Sequence, residues 1–146
     1  MKLEGVFLYY DKENKNGRIY TKEVAKEIVK QFNEMDKGFC LGELGQPSEH
    51  ITNLINVSHE VEEIHINEKD KSIEGTIKIL DTPKGKLLTT LIEEFKEGSD
   101  IKFSGAARGT GTINKNKEVE DYTLHAFDII PLKESAFPNP LKITDL

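Results

Sequence analysis

The sequence contains one cysteine, no tryptophan and two methionines in 146 residues. A single thiol excludes an internal disulfide and a thiolate-rich metal site. Cys40 stands between Phe39 and Leu41. That apolar setting predicts a small buried side chain, since a reactive thiolate needs an accessible, electropositive environment. Excess positive charge is also missing: 20 basic residues face 26 acidic ones, a formal net charge of −6. Such a balance argues against non-specific nucleic-acid binding, which relies on cations displacing counterions. No apolar run approaches the roughly 20 residues that span a bilayer. Val6 to Tyr10 is too short for the apolar segment of a secretion signal. No membrane or nucleic-acid partner is expected, and the predicted compartment is a reducing cytosol or a particle assembled there.

The chain has the length of one domain with a real core. Gly5 to Tyr10 reads as a strand, and Asn14 to Gly17 as a turn, because Asn and Gly tolerate positive φ. Thr21 is placed to cap a helix in which Val24, Ala25, Ile28, Val29 and Phe32 recur at helical spacing. That helix should end between Met35 and Gly38, and Phe39 to Leu44 should form a buried strand. Residues 55–66 and 73–80 read as two strands joined by a charged turn. Ile73, Gly75, Ile77 and Ile79 share one strand face. Asp81-Thr82-Pro83 opens a second helix with the stripe Leu87, Leu88, Leu91, Ile92 and Phe95, and Gly98 is its expected stop. Ile101 to Thr112 is expected to be extended, Asn114 to Lys117 a hairpin tip, and Val119 to Ile130 a long strand. The expectation is an α+β fold: a strongly curved, mostly antiparallel, barrel-like sheet with two packed helices. It would occupy residues 1–131, with 132–146 as an extended C-terminal tail.

These segments carry a resemblance. Asn16-Gly17-Arg18-Ile19-Tyr20, Gly42-Glu43-Leu44 with Pro47, and Asn56-Val57-Ser58-His59 come first. Leu80-Asp81-Thr82-Pro83-Lys84-Gly85-Lys86 and Ala107-Arg108-Gly109 with Gly111 follow. In this order the chain resembles the prohead core protease family of tailed bacteriophages, from about Asn14 to Phe137. The resemblance implies a fold similar to that of the herpesvirus capsid maturation proteases. It also implies an activity, cutting scaffold and capsid proteins inside the immature head.

Two positions depart from the family pattern. Active members carry a histidine where this chain has Gln46, and a pair of serines where it has Ala106 and Ala107. A serine hydroxyl attacks a carbonyl only when a neighbouring imidazole takes its proton. Glutamine accepts no proton near neutral pH, and alanine has no nucleophilic atom. Three other residues are fallback candidates. Ser104 shares strand parity with Ala106 but lies roughly 6.5 Å further along the strand. His59 reads either as a solvent-facing or core-edge histidine or as a replacement base, and His50 lies in the loop after Gln46. The resemblance would give the Arg108-Gly109 segment an oxyanion-site role; Arg108 can also hold its loop through hydrogen bonds.

No metal or cofactor is expected. His59, Glu63 and His65 can share one strand face, but residues six apart on a strand are about 20 Å apart. Gly105, Gly109 and Gly111 are not followed by the Lys-Ser/Thr of a phosphate-binding loop. In the tail, Phe137, Leu141, Ile143 and Leu146 read as apolar anchors for a neighbouring subunit, against the alternative of a loosely ordered terminus.

The reading is a proteolytically inactive, prohead-protease-like head protein that works by binding. It would be an auxiliary component of the virion or prohead, assembled in the bacterial host's cytoplasm. Its expected partners are the major capsid protein or other head and scaffold proteins, and a homo-oligomer is open. Two alternatives stand beside it. One is an active maturation serine protease, with relocated catalytic residues or deliberately inactivated; the other is a scaffolding chaperone present only during assembly.

Overall fold

A computed structural model describes residues 1–36 and 39–144. Strand β1 (Lys2–Tyr9) leads through the Asn14–Arg18 turn into helix α1 (Lys22–Glu34). In that turn Gly17 takes φ +73°, and the Asn14 side chain accepts from the amides of Asn16 and Arg18. Thr21 caps α1, its hydroxyl accepting from the Val24 amide at 3.2 Å. Ala25 and Ile28 are fully buried. Gln31 clamps the helix to the sheet by donating to the Tyr122 carbonyl (2.8 Å) and accepting from the Leu124 amide (2.7 Å).

Strand β2 (Leu41–Glu43) is followed by a 3-10 turn at Leu54–Asn56 and by β3 (Val57–Asn67) and β4 (Ser72–Ile79), which form a hairpin. Helix α2 (Pro83–Phe95) begins at Thr82, whose hydroxyl accepts from the Gly85 amide and donates to the Val57 carbonyl. Any side chain at Gly85 would strike the Leu80 carbonyl. Leu88 and Ile92 are buried, whereas Leu87 and Phe95 remain 44% and 59% exposed, so two of the five residues in the predicted apolar stripe face outward. The helix stops at Phe95, and Gly98, with φ +64°, serves the turn beyond it. Strands β5 (Phe103–Ile113) and β6 (Val119–Pro131) form a second, longer hairpin, and β7 (Lys142–Ile143) closes the described chain.

The strands assemble as a five-stranded sheet in the order β2-β3-β4-β1-β7 and a two-stranded sheet of β5 and β6. All their ladders are antiparallel. Leu44 bridges to Ile129 and joins the two sheets. Register shifts interrupt four of the five ladders, and bulges of this kind increase twist and bend a sheet. Phe7, Phe127, Ile77 and Ile129 from the two sheets and Leu88 from α2 share one core, with the Phe7 and Phe127 rings 4.8 Å apart. The α+β expectation and both helices are therefore observed.

Three expectations are corrected. Phe39 is 75% exposed, so the strand after α1 is shorter than its apolar run; Cys40 is buried as expected. A bulge between Val61 and Glu63 switches the parity of β3. His59 therefore points inward and His65 outward, where it meets Glu74 at 3.3 Å. The apolar side chains of the C-terminal segment are not free anchors for a partner: Phe137, Leu141 and Ile143 are buried in the protein's own core. Ile143 and Lys142 pair with Leu3 and Glu4, the Leu141 amide donates to the Phe103 carbonyl, and Phe137 packs edge-on against Tyr9. The apolar residues among the prolines thus supply an edge strand to their own sheet. Leu146 lies outside the described residues.

Candidate functional site

Strand β5 and the loop after β2 enclose a cleft. Two adjoining cavities, about 420 and 110 Å3, share Arg18, Tyr20, Gln46 and Ala107 in their walls. Ala106 lines the smaller cavity, and His50, Gly109 and Gly111 line the larger. The positions singled out in sequence, Gln46 and Ala106-Ala107, are thus brought together across one cleft. Of the fallback candidates, only His50 reaches that cleft. Ser104 is fully buried, its hydroxyl oxygen 3.2 Å from the Ser135 hydroxyl and 3.3 Å from the Gly105 carbonyl, to one of which it donates its single proton. His50 is exposed at the cleft rim.

His59 is neither solvent-facing nor a replacement base. It is completely buried, and both ring nitrogens are engaged. Nε2 lies 2.8 Å from the Phe127 carbonyl, which only accepts, so Nε2 carries the proton; Nδ1 then accepts from the Ser58 hydroxyl at 2.8 Å. Burial pulls the pKa down to about 4, against an upward pull from the Phe127 carbonyl, and the ring is neutral at pH 7. Gly42 makes this packing possible, because a Cβ there would strike both the Phe127 carbonyl and the imidazole. His59 is a cross-sheet tie.

Beneath the cleft lies a charged cluster that the sequence reading did not assemble. Arg108 donates from Nε to Asp128 Oδ2 at 2.8 Å and from Nη2 to Asp128 Oδ1 at 3.1 Å. The same guanidinium donates to the His50 carbonyl (2.7 Å) and the Thr52 hydroxyl (3.0 Å). Asp128 Oδ1 also accepts from the Glu43 amide. The Glu43 carboxylate accepts from the Asn53 amide and the Asn56 side chain, and stands 3.7 Å from Arg108 Nη2. All three charged residues are buried. Burial raises the Asp128 pKa, while Arg108 and the Glu43 amide oppose it. Three buried charges survive away from water only when paired and saturated with hydrogen bonds, as these are. Through them Arg108 pins the loop that carries Gln46 and His50. The sequence held a signal for this cluster: Glu43 and Asp128 are lone acids inside apolar strand segments, and each needs a cation.

Outside the cluster, His125 on β6 faces His50, with ring centroids 5.1 Å apart, and His125 Nε2 lies 3.4 Å from the Thr110 hydroxyl. Partial burial, His50 and Arg108 together hold the His125 pKa below its ordinary value. Tyr122, also in the cleft wall, has a buried hydroxyl without a hydrogen-bond partner among the described residues. The Tyr20 and Tyr122 rings meet edge-on at 5.7 Å, near enough for each phenol to influence the other's ionisation without hydrogen-bond geometry. No group of three or more His, Cys, Asp or Glu that could hold a metal occurs among the described residues. Nor is any described helix long and apolar enough to cross a membrane.

The sequence matches the family of prohead core protein serine proteases over residues 1–134, and the chain belongs to that family. Its fold is similar to the solved structure of the bacteriophage T4 capsid assembly protease, gp21, with a TM-score of 0.74. The two are 22% identical, and the match covers 88% of this chain and 80% of that one. Among curated proteins, none matches the sequence.

Proposed function

We propose that this chain is a proteolytically inactive member of the prohead protease family, an auxiliary head component that acts by binding. The observation carrying this reading is that the cleft wall shared by both cavities presents Gln46 and Ala107, a carboxamide and a methyl group. Neither can move a proton or attack a carbonyl. Triad-less serine proteases retain only about 10³–10⁴-fold acceleration over water, too little for a maturation step. Ser104 cannot stand in, because its hydroxyl is buried and bonded within the core. The expected partner is the capsid or scaffold protein that an active relative would cut, held in the cleft without being cut. Its place would be the prohead, and a permanent component would persist in the finished virion. The test is incubation of the purified protein with scaffold and capsid protein, alongside a fluorophosphonate serine probe. Complex formation without cleavage or labelling is the expected result; specific cleavage overturns the reading.

One observation favours an active enzyme with relocated residues. The Thr110 hydroxyl and His50 line the larger cavity, and the His125 imidazole stands beside both. In that case cleavage would occur and would disappear in both Thr110→Ala and His125→Ala, while Ser104→Ala would retain it.

A further inference from the structure

Helix α2 carries a second apolar face that its own fold does not use. Pro83, Lys84, Leu87, Leu91, Glu94 and Phe95 fall within an arc of about 120° at the 3.6-residue period. Leu88 and Ile92, which face the core, lie outside it. Pro83, Leu87, Glu94 and Phe95 are exposed, and Lys84 and Leu91 are half-buried. Beside the start of the helix, the 3-10 turn adds Leu54 and Ile55, 71% and 78% exposed.

The charges on this helix are arranged against its own dipole. Its first turn has no acidic residue and holds Lys84, and its last turn has no basic residue and holds Glu94. Positive charge at a helix N-terminus and negative charge at its C-terminus both oppose the macrodipole. Neither Lys84 nor Glu94 has an ion-pair partner among the described residues, whereas Lys86 reaches Asp81 at 3.5 Å. The arrangement makes sense when the helix lies antiparallel to a copy of itself.

We infer that this face is the two-fold interface of a homodimer, α2 against α2 of a second copy. A two-fold axis at the level of Thr89 matches three pairs at once. Leu87 and Leu91 lie two residues either side of Thr89, Lys84 and Glu94 five, and Pro83 and Phe95 six. One symmetry operation therefore sets leucine on leucine, lysine on glutamate and proline on phenylalanine, twice over, as an isologous contact requires. Phe95 of each copy also comes to the end of the partner helix flanked by Leu54 and Ile55. A helix of this length is about 20 Å long, so the contact belongs to the small class and the dimer should dissociate in the micromolar range. The inference is independent of whether the cleft is catalytic.

The test is sedimentation velocity on the full chain from about 1 to about 500 µM, where mass action should reveal a concentration-dependent dimer. Phe95→Glu should weaken it at least about 100-fold. Lys84→Glu and Glu94→Lys should each weaken it about tenfold, since each sets like charges opposite one another at two symmetric places. The double variant K84E/E94K should restore association to within about threefold of wild type. Thermal melting separates this from misfolding, because both single reversals now agree with the helix dipole and should leave the melting temperature unchanged or raised. A monomer at every concentration overturns the inference. So does a dimer indifferent to Phe95→Glu, a double reversal that fails to rescue, or a ridge shielded only when a capsid protein is added.

Discussion

Arg108 and Asp128 form a two-pronged ion pair across the β5–β6 hairpin, with both side chains out of contact with solvent. The pair lies under the cleft, and the guanidinium's remaining donors hold the backbone of the loop above it. Removing the cation leaves two buried carboxylates uncompensated. Arg108→Ala is therefore expected to cost about 3–5 kcal/mol in urea unfolding. Amide exchange should accelerate selectively over residues 46–53. Arg108→Lys should rescue only part of the loss, because an ammonium cannot match the fork geometry.

His59 makes stability depend on acid. Its pKa is about 4 in the folded protein and about 6.5 when unfolded, so only the unfolded chain takes up the proton between those values. The His59 contribution is complete above pH 6.5 and is lost as pH falls toward 4, by about 3 kcal/mol in all. His59→Gln, lower in stability at pH 7, should show a flatter decline over that window than wild type in parallel denaturant titrations.

Gly42 offers an independent check on the same tie. A methyl group there meets the Phe127 carbonyl and the His59 ring, neither of which can retreat within a closed ladder. Gly42→Ala should destabilise by about 2–4 kcal/mol, as overpacking of a rigid site does. Gly17→Ala, by contrast, has open space at its turn and bears only the cost of its positive φ, about 1 kcal/mol. Chemical denaturation of the two variants side by side gives the comparison.

Rebuilding the missing chemistry tests what the cleft still holds. Ala107 borders both cavities together with Gln46, and Ala106 borders only the smaller. Gln46→His combined with Ala107→Ser should therefore gain fluorophosphonate labelling. The same histidine combined with Ala106→Ser should label less, and either serine alone not at all, because a hydroxyl without its base is inert. Labelling of the unmodified protein would contradict both this expectation and the proposed function.

The end segment gives the clearest stability prediction. Leu141 is fully buried and its backbone bonds to both Ile101 and Phe103. Leu141→Ala should cost about 2–5 kcal/mol, a core value rather than a terminal one, measurable by urea unfolding.

Local rules carried the sequence reading where a few neighbouring residues decide the outcome. Thr21 and Thr82 cap the helices because a hydroxyl before an apolar repeat can serve orphan amides whatever lies further away. Asn14–Gly17 and Asn114–Lys117 turn for similarly local reasons. The reading failed where the outcome depends on distant partners. One extra residue at Val61–Glu63 separates His59 from His65, and no local pattern marks it. Phe137, Leu141 and Ile143 look the same as anchors for a stranger or for their own sheet, and only the groove between β1 and β5 decides. In the cleft, the two altered positions were visible as residue types. The Arg108–Asp128–Glu43 cluster showed only as lone acids in apolar strands, because its assembly brings Glu43 on β2 to Arg108 and Asp128 on the distant β5–β6 hairpin.

Cys40 turns the molecule into its own reporter. It is the one thiol in the sequence, it is buried, and burial pushes its pKa up to about 12. A thiol-modifying reagent finds no reactive sulfur on the closed protein and must wait for the β2 margin to come apart. The rate of alkylation thus counts openings where β2 meets α1 and β3, with no engineered label, and anything that clamps that margin would register as a slower clock.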